Sequence, residues 1–220
     1  MADYKFFVLT NPVEGREEEY NDWYSNRHLA DIVAIPGFSA AQRFVLRKTL
    51  MGKLSHQYLA IYEMDVADLS TAQAAVEAVA TTEMEISPAL DLGTVVTGLF
   101  EACGTLHSDD GEEPGPFRAL ALTDAAEGRD VEYNDWYTNI HIRELMAAGD
   151  HSAAERYRLR SPAPSFDKQY LALYSLKAKD LAAVEQGMQK AAGTKFTLSD
   201  AGNPDVTLAL YEACCPRVTA

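Results

Sequence analysis

The sequence predicts an α+β chain made of two βαββαβ units, one in each half, packed sheet to sheet. Three observations predict it. Blocks of sequence in the first half return in the same order in the second. Each half alternates apolar strand-like runs with helical stretches in the order β-α-β-β-α-β. The length of 220 residues leaves room for two domains of about 100 residues each.

The repeat is dense. Glu14-Gly15-Arg16 returns as Glu127-Gly128-Arg129, and Glu19-Tyr20-Asn21-Asp22-Trp23-Tyr24 as Glu132-Tyr133-Asn134-Asp135-Trp136-Tyr137. Asn26 and His28 return as Asn139 and His141, and Ser39-Ala40-Ala41 with Arg43 as Ser152-Ala153-Ala154 with Arg156. Gln57-Tyr58-Leu59-Ala60 returns as Gln169-Tyr170-Leu171-Ala172, and Glu101-Ala102-Cys103 as Glu212-Ala213-Cys214. Residues 1–104 and 117–220 are therefore read as two copies of one unit. Residues 105–116, rich in Gly, Asp, Glu and Pro, are read as a linker.

Each copy opens with an apolar strand, 5–10 and 118–123. A helix over 16–34 and 129–147 follows; Glu17, Glu18 and Glu19 suit the positive end of its dipole, and Pro36-Gly37 stops it in the first copy. Second strands are expected at 40–48 and 153–160, and third strands at 57–64 and 169–176. Alanine-rich helices at 66–80 and 178–192 lead to fourth strands at 94–102 and 205–213. This order is the ferredoxin-like unit, four antiparallel strands with two helices on one face. The bare sheet face of one copy would be covered by the other.

Composition narrows the function. A formal charge of -14 disfavours nucleic-acid partners, and there is no P-loop or GxGxxG after a strand. No apolar run approaches the roughly 18 residues of a membrane span, and the N-terminal residues do not resemble a signal peptide. A cytoplasmic protein without membrane or nucleic-acid partners is expected. Cys103, Cys214 and Cys215 suggest neither a disulfide framework nor a zinc site.

The first helix carries the chemistry. At about 100° per residue, Tyr20, Trp23, Tyr24, Arg27, His28 and Asp31 fall in one sector, and Tyr133, Trp136, Tyr137, Ile140, His141 and Glu144 in the corresponding one. A core stripe would favour Leu, Ile and Val; here three rings lie beside a histidine and a carboxylate. Asp31 is spaced to reach His28, and Glu144 to reach His141. Such a carboxylate would raise the histidine pKa and orient the ring for general acid–base work. The plainer readings are core packing for the rings, hydrogen-bonded burial for the histidines and helix capping for Asn21-Asp22 and Asn134-Asp135. Arg43 and Arg156 read as partners of the acidic helix, and Glu17 to Glu19 as a solvated helix start. His28 and Asp31 lack a third ligand for a metal.

The Tyr-Asn-Asp-Trp-Tyr motif, the histidine four residues on, Asp31, Pro36-Gly37-Phe38 and Arg43-Phe44 resemble the EthD-like branch of the dimeric α/β-barrel superfamily. The resemblance spans both halves and implies an intrachain dimeric α/β barrel with a pocket in each unit, between the helices and their own sheet. That superfamily includes cofactor-free cyclases, isomerases, dehydratases and monooxygenases, haem-dependent enzymes, and members without known activity. Only the motif histidine is carried over, onto His28 and by the repeat onto His141. The second copy departs from the motif: Gly149-Asp150-His151 replaces Pro36-Gly37-Phe38, Ile140 replaces Arg27, Glu144 replaces Asp31 and Lys168 replaces His56.

The expected function is that of a cofactor-independent lyase or isomerase acting on a hydrophobic aromatic or cyclic small molecule. His28 with Asp31, and His141 with Glu144, would move the proton. Tyr20, Trp23, Tyr24 and Tyr58, with Tyr133, Trp136, Tyr137 and Tyr170 in the second copy, would hold the substrate. A non-catalytic small-molecule-binding protein and a cofactor-free monooxygenase are the alternatives. Haem or a metal has no support beyond the histidines. The chain is expected to be its own pseudo-dimer, with further oligomerisation left open.

Overall fold

A computed structural model describes residues 3–107, 114–148, 151–161 and 166–220. Half of the expected linker, residues 108–113, and Gly149 and Asp150 of the divergent second motif lie outside the described residues. In the first half β1 (Tyr4–Thr10) leads to α1 (Glu17–Trp23), a π turn (Tyr24–His28) and α2 (Leu29–Val33), then β2 (Phe38–Met51), β3 (Tyr58–Met64), α3 (Leu69–Thr81) and β4 (Val96–His107). The second half follows the same order. There β5 (Phe117–Thr123) leads to α4 (Asp130–Trp136), a π turn (Tyr137–His141) and α5 (Ile142–Ala148), then β6 (His151–Leu159), β7 (Tyr170–Leu176), α6 (Leu181–Ala192) and β8 (Thr207–Ala213). A short β9 (Val218–Thr219) ends it.

The strands form one closed antiparallel barrel in the order β3-β1-β4-β6-β7-β5-β8-β2, with β2 returning to β3. The two halves therefore meet through sheet edges as well as faces: β2 pairs with β8, and β4 with β6. This joining explains two strands that outrun their expected ends. Beyond residue 48, β2 pairs Thr49 with Ala209 and Met51 with Leu208. Beyond residue 102, β4 runs into the segment read as linker and pairs Thr105 with Glu155 and His107 with Ala153. A ladder to the other half satisfies backbone groups that an isolated unit would leave to water. The unexpected β9 adds to β2 ahead of β8, pairing Ala41 with Val218.

Barrel strands are buried on both faces, so they read as apolar runs rather than clean alternation. Along β1, Phe7 and Leu9 point into the barrel, where they meet Phe44, Leu59, Ile61 and Phe100 from their own half and Leu120, Tyr157, Leu171 and Tyr211 from the other. Phe6 and Val8 point the opposite way, under the helices, with Tyr20, Trp23, Tyr24 and Tyr62. The second helix layer gathers Tyr133, Tyr137, Ile142, Tyr170 and Tyr174.

The repeated Glu-Gly-Arg turn places the first helix of each half. Gly15 and Gly128 take positive φ, 78° and 73°, which a residue with a Cβ adopts at a cost. Arg16 then pairs with Glu19, and Arg129 with Glu132. The alanine-rich helices start later than the composition suggested, because Asp68 accepts from the N–H of Thr71 and Asp180 from that of Ala183, fixing them as N-caps. No helix among the described residues is long and apolar enough to cross a membrane.

Because the interior core is built from both halves, the barrel is expected to unfold as one unit. Phe100→Ala, at a fully buried interior position, should cost about 3–5 kcal/mol in urea denaturation and leave a single transition. A two-step transition, one half unfolding ahead of the other, would contradict this reading.

Candidate active site

The helix that carries the motif is not regular. In each half its middle five residues form a π turn, Tyr24–His28 and Tyr137–His141. In an α-helix, residues five apart lie about 140° from each other around the axis; the i→i+5 geometry of a π turn brings them together. Trp23 and His28 are such a pair, and their rings stack at 4.5 Å between centroids and 24° between planes. Trp136 and His141 repeat this at 4.8 Å and 25°. A second ring closes on each imidazole edge-on: Tyr24 on His28 and Tyr137 on His141, both at 4.8 Å.

The π turn also corrects the expected faces. Leu29 and Val33, outside the expected sector, are buried in the helix layer, whereas Arg27, inside it, is exposed. The carboxylates do not steer the imidazoles. Asp31 lies 3.8 Å from Arg27, whose guanidinium also bonds Glu85 at 2.6 Å. Glu144 accepts from the N–H and hydroxyl of Thr197, at 2.7 and 2.6 Å. Both carboxylates thus belong to latches on irregular segments, 82–87 and 194–199, that lie over the tryptophans. The indole N–H of Trp23 donates to the carbonyl of Glu85 at 3.0 Å, and that of Trp136 to the carbonyl of Thr197 at 2.9 Å. The loss of Arg27 to Ile140 is offset by a longer carboxylate that reaches the segment directly.

The histidine pKa moves opposite to expectation. Burial pushes His28 down to about 4, with Asp31 opposing and Arg43 adding to the fall. Burial lowers His141 in the same way, with Glu144 opposing. Both imidazoles are thus held neutral at ordinary pH. The Nδ1 atoms of His28 and His141 are buried without a hydrogen-bond partner. A buried polar atom left so costs free energy and calls for an explanation.

Beneath the rings lies a group whose place the sequence reading missed. Arg43, on β2, is fully buried, and its guanidinium sits 4.3 Å from the centre of the Tyr24 ring and 4.9 Å from those of Tyr20 and Tyr58. Its N–H groups donate to Ser25 Oγ at 2.6 Å and Asn21 Oδ1 at 3.0 Å, neutral oxygens rather than the acidic helix start. Asn21 then donates to the Tyr58 hydroxyl at 2.8 Å, and Tyr58 donates to Glu17. Arg156 repeats the chain through Thr138, Asn134, Tyr170 and Asp130. Asn21 and Asn134 are therefore relays rather than caps, and Glu17 is an acceptor rather than a solvated helix start. The signal was present: Arg43 with Arg156, and Asn21 with Asn134, are identical pairs in the repeat.

The tyrosines all stay protonated. Burial raises Tyr24 and Tyr62 above the ordinary phenol range, and Tyr58 is pushed up to about 12 by burial and by its bond to Glu17. Tyr62 donates to the Tyr24 oxygen at 3.2 Å, which leaves the Tyr24 proton for another acceptor. Of the expected substrate-binding residues, Tyr20 and Tyr133 bond instead to Thr10 and Thr123, both at 2.6 Å.

The structure brings Tyr20, Trp23, Tyr24, His28 and Tyr58 together around Arg43, and Tyr133, Trp136, Tyr137, His141 and Tyr170 around Arg156. The five residues of the first cluster are all buried. Two shallow depressions, of about 410 and 400 Å³, lie elsewhere: one beside Val33, Pro36 and Val218, the other beside Arg16 and Glu19. Among the described residues no three His, Cys, Asp or Glu side chains converge as metal ligands do.

No protein-family profile matches the chain, and no curated protein matches it. Solved structures do. An anthrone oxidase-like protein matches with a TM-score of 0.63 at 11% identity, over 100% of this chain and 93% of that one. A candidate monooxygenase from Fusobacterium nucleatum subsp. nucleatum matches with a TM-score of 0.60 at 11% identity, over 99% and 94%. A variant of chlorite dismutase from Candidatus Nitrospira defluvii gives 0.53 at 11% identity, over 96% and 91%. At such identities the likeness is one of fold. The fold is that of the dimeric α/β-barrel proteins, here closed within a single chain.

The depressed His28 pKa has a consequence for stability. Between pH 6.5 and about 4 the unfolded chain protonates His28 while the folded chain does not. Its contribution is complete above pH 6.5 and is lost as pH falls through that window. His28→Phe, which keeps a ring against Trp23, should lose less stability than the wild type between pH 6.5 and 4 in urea titrations. Equal losses would show that the imidazole is not held neutral by the fold.

Proposed function

We propose that the chain is a cofactor-independent enzyme that moves a proton on a small hydrophobic, aromatic or cyclic molecule, with His28 as the base. One observation carries this reading: a neutral imidazole, 8% exposed, with an unpartnered Nδ1, held between the Trp23 and Tyr24 rings. A neutral imidazole is ready to accept a proton. The proton of Tyr24, with the Arg43 charge behind its ring, is placed to stabilise an oxyanion formed when a C–H beside a carbonyl is deprotonated. The rings supply flat apolar surface for such a substrate.

Entry needs the segment over Trp23 to move aside. The Arg27–Glu85 pair that latches it is exposed, and pairs of that kind contribute about 0–1 kcal/mol. Opening would also admit water, relieve the burial of His28 and bring its pKa back toward 6.5, where an imidazole is an effective base at neutral pH. Asp31 and Glu144 act in this reading as latches and not as partners of the imidazoles. His141 is the corresponding base of the second half. We read residues 1–104 and 117–220 as duplicated units of the EthD-like branch, in a cytoplasmic protein.

The fold shared over the full chain with an anthrone oxidase-like protein and a candidate monooxygenase favours one second reading. The same deprotonation would then yield a carbanion that reacts with molecular oxygen, making the protein a cofactor-free monooxygenase.

The test is solvent-deuterium exchange at the acidic C–H of a panel of anthrones, quinols and unsaturated lactones, with oxygen uptake followed in parallel. His28→Ala should slow exchange by about 10²-fold or more, and His141→Ala should slow it less. Wild-type exchange rates in the double variant would end the proposal. Oxygen uptake that tracks exchange selects the monooxygenase reading, and full turnover without oxygen selects the lyase or isomerase.

A further inference from the structure

One mouth of the barrel carries charges that the chemistry above does not use. Four antiparallel steps around the ring, β1-β4-β6-β7-β5, separate β1 from β5, so both strands begin at the same mouth. Side chains alternate along a strand, so Lys5 shares the inward face of Phe7 and Leu9, and Arg118 that of Leu120 and Leu122. By the same alternation Gln42 and Glu155 face inward beside Phe44 and Tyr157, and Glu63 and Ser175 beside Ile61 and Leu173.

The repeat gives each residue at this mouth a counterpart in the other half. Around Lys5 the residues are acidic. Its ammonium bonds Glu155 at 2.8 Å, the Tyr157 hydroxyl donates to the same carboxylate oxygen at 2.8 Å, and the ammonium lies 5.3 Å from the centre of the Tyr157 ring. Glu63 pairs with Lys5 across the strands and holds Arg217 at 2.6 Å. Asp3, just before β1, accepts the Ala102 N–H at 2.7 Å.

Around Arg118 every one of these acids has a neutral counterpart. Gln42 stands where Glu155 does, and it is turned to the Cys215 carbonyl at 3.3 Å. Ser175 pairs with Arg118 as Glu63 pairs with Lys5. Pro116 accepts the Ala213 N–H as Asp3 accepts that of Ala102, and Phe44 replaces Tyr157. The cation is kept, 5.5 Å from the centre of the Phe44 ring. Half-buried, it spends Nη1 on the Gly115 and Phe117 carbonyls at 2.7 and 2.9 Å. Its Nε and Nη2 meet no acceptor among the described residues. Burial lowers the Arg118 pKa, and the charge that opposes the fall is Glu155, which Lys5 and Tyr157 already hold.

We propose that Arg118, with the Ser175 hydroxyl beside it, binds the carboxylate of a small organic acid, in the place that Glu155 takes on Lys5. The Nε–Nη2 edge of a guanidinium is a fork that receives a carboxylate through two parallel N–H···O bonds. Partial burial strengthens such a pair relative to one in open water. The occupant on the Lys5 side is itself a carboxylate, which sets the class of ligand. This site is on the inner face of the sheet, away from the helix layers, and does not depend on the His28 reading.

The experiment is urea denaturation of the full chain at neutral pH while sodium acetate replaces sodium chloride at constant ionic strength. A ligand that binds only the folded chain raises its stability, so the wild-type midpoint should rise with acetate. Arg118→Gln removes the fork, and Gln42→Glu places a carboxylate of the chain's own where Glu155 stands on the other side. Both should lose that rise. Gln42→Glu keeps the test decisive if Arg118→Gln does not fold, because its counterpart position already holds glutamate. No rise in the wild type, or an equal rise in Gln42→Glu, would overturn the proposal. The assay reads no turnover, so its outcome leaves the His28 reading untouched.

Discussion

In each half of the chain a guanidinium is buried beneath tyrosine rings, and its hydrogen bonds go to neutral oxygens. Arg43 on β2 and Arg156 on β6 reach from the sheet to the helix above, where an asparagine and a hydroxyl residue four positions later accept their N–H groups. Taking a cation out of water is costly, and ring faces and converging acceptors offset that cost only if each is in place. This accounts for a helix that faces its sheet with Tyr, Asn, Trp and Tyr where a packing stripe would use Leu and Ile. It also sets the register of the helix on the sheet, so that the π turn falls at the same five residues in both halves. The stacked imidazole is a product of that turn.

How much of this was legible in the sequence follows from the range of each interaction. Strand and helix order depends on local periodicity, and the chain states it twice. The barrel closure added length to β2 and β4 that no single unit could announce, because their partners lie in the other half. The π turn was hidden for a different reason: a steady 100° advance cannot show where a helix takes one wide turn. The error spread from there, leaving Leu29 and Val33 out of the buried sector and pairing Asp31 with His28 instead of Arg27. Glu144 and Asp31 look like histidine partners at helical spacing, but their true contacts lie in segments far along the chain. Arg43 and Arg156 were read as partners of the acidic helix; they do reach that helix, but at neutral oxygens beneath the rings, and their identity in both halves was the available clue.

The halves share one scaffold and differ where it meets solvent. An arginine bridge latches the segment over Trp23, whereas Glu144 alone holds the one over Trp136. His28 is buried more fully than His141. The arginine cluster is the same in both halves, and its surroundings differ. His28 and the rings against it are buried, so in the proposed function its chemistry is coupled to movement of the segment over Trp23.

The central claim is that the fold buries His28 as a neutral imidazole against Trp23. Titration of the imidazole Cε1–H resonances by NMR, with His28 assigned from the spectrum of His28→Phe, tests it directly. The resonance should hold its neutral position down through pH 6 and move only toward pH 4. A midpoint near 6.5 would place the ring in water and contradict the account.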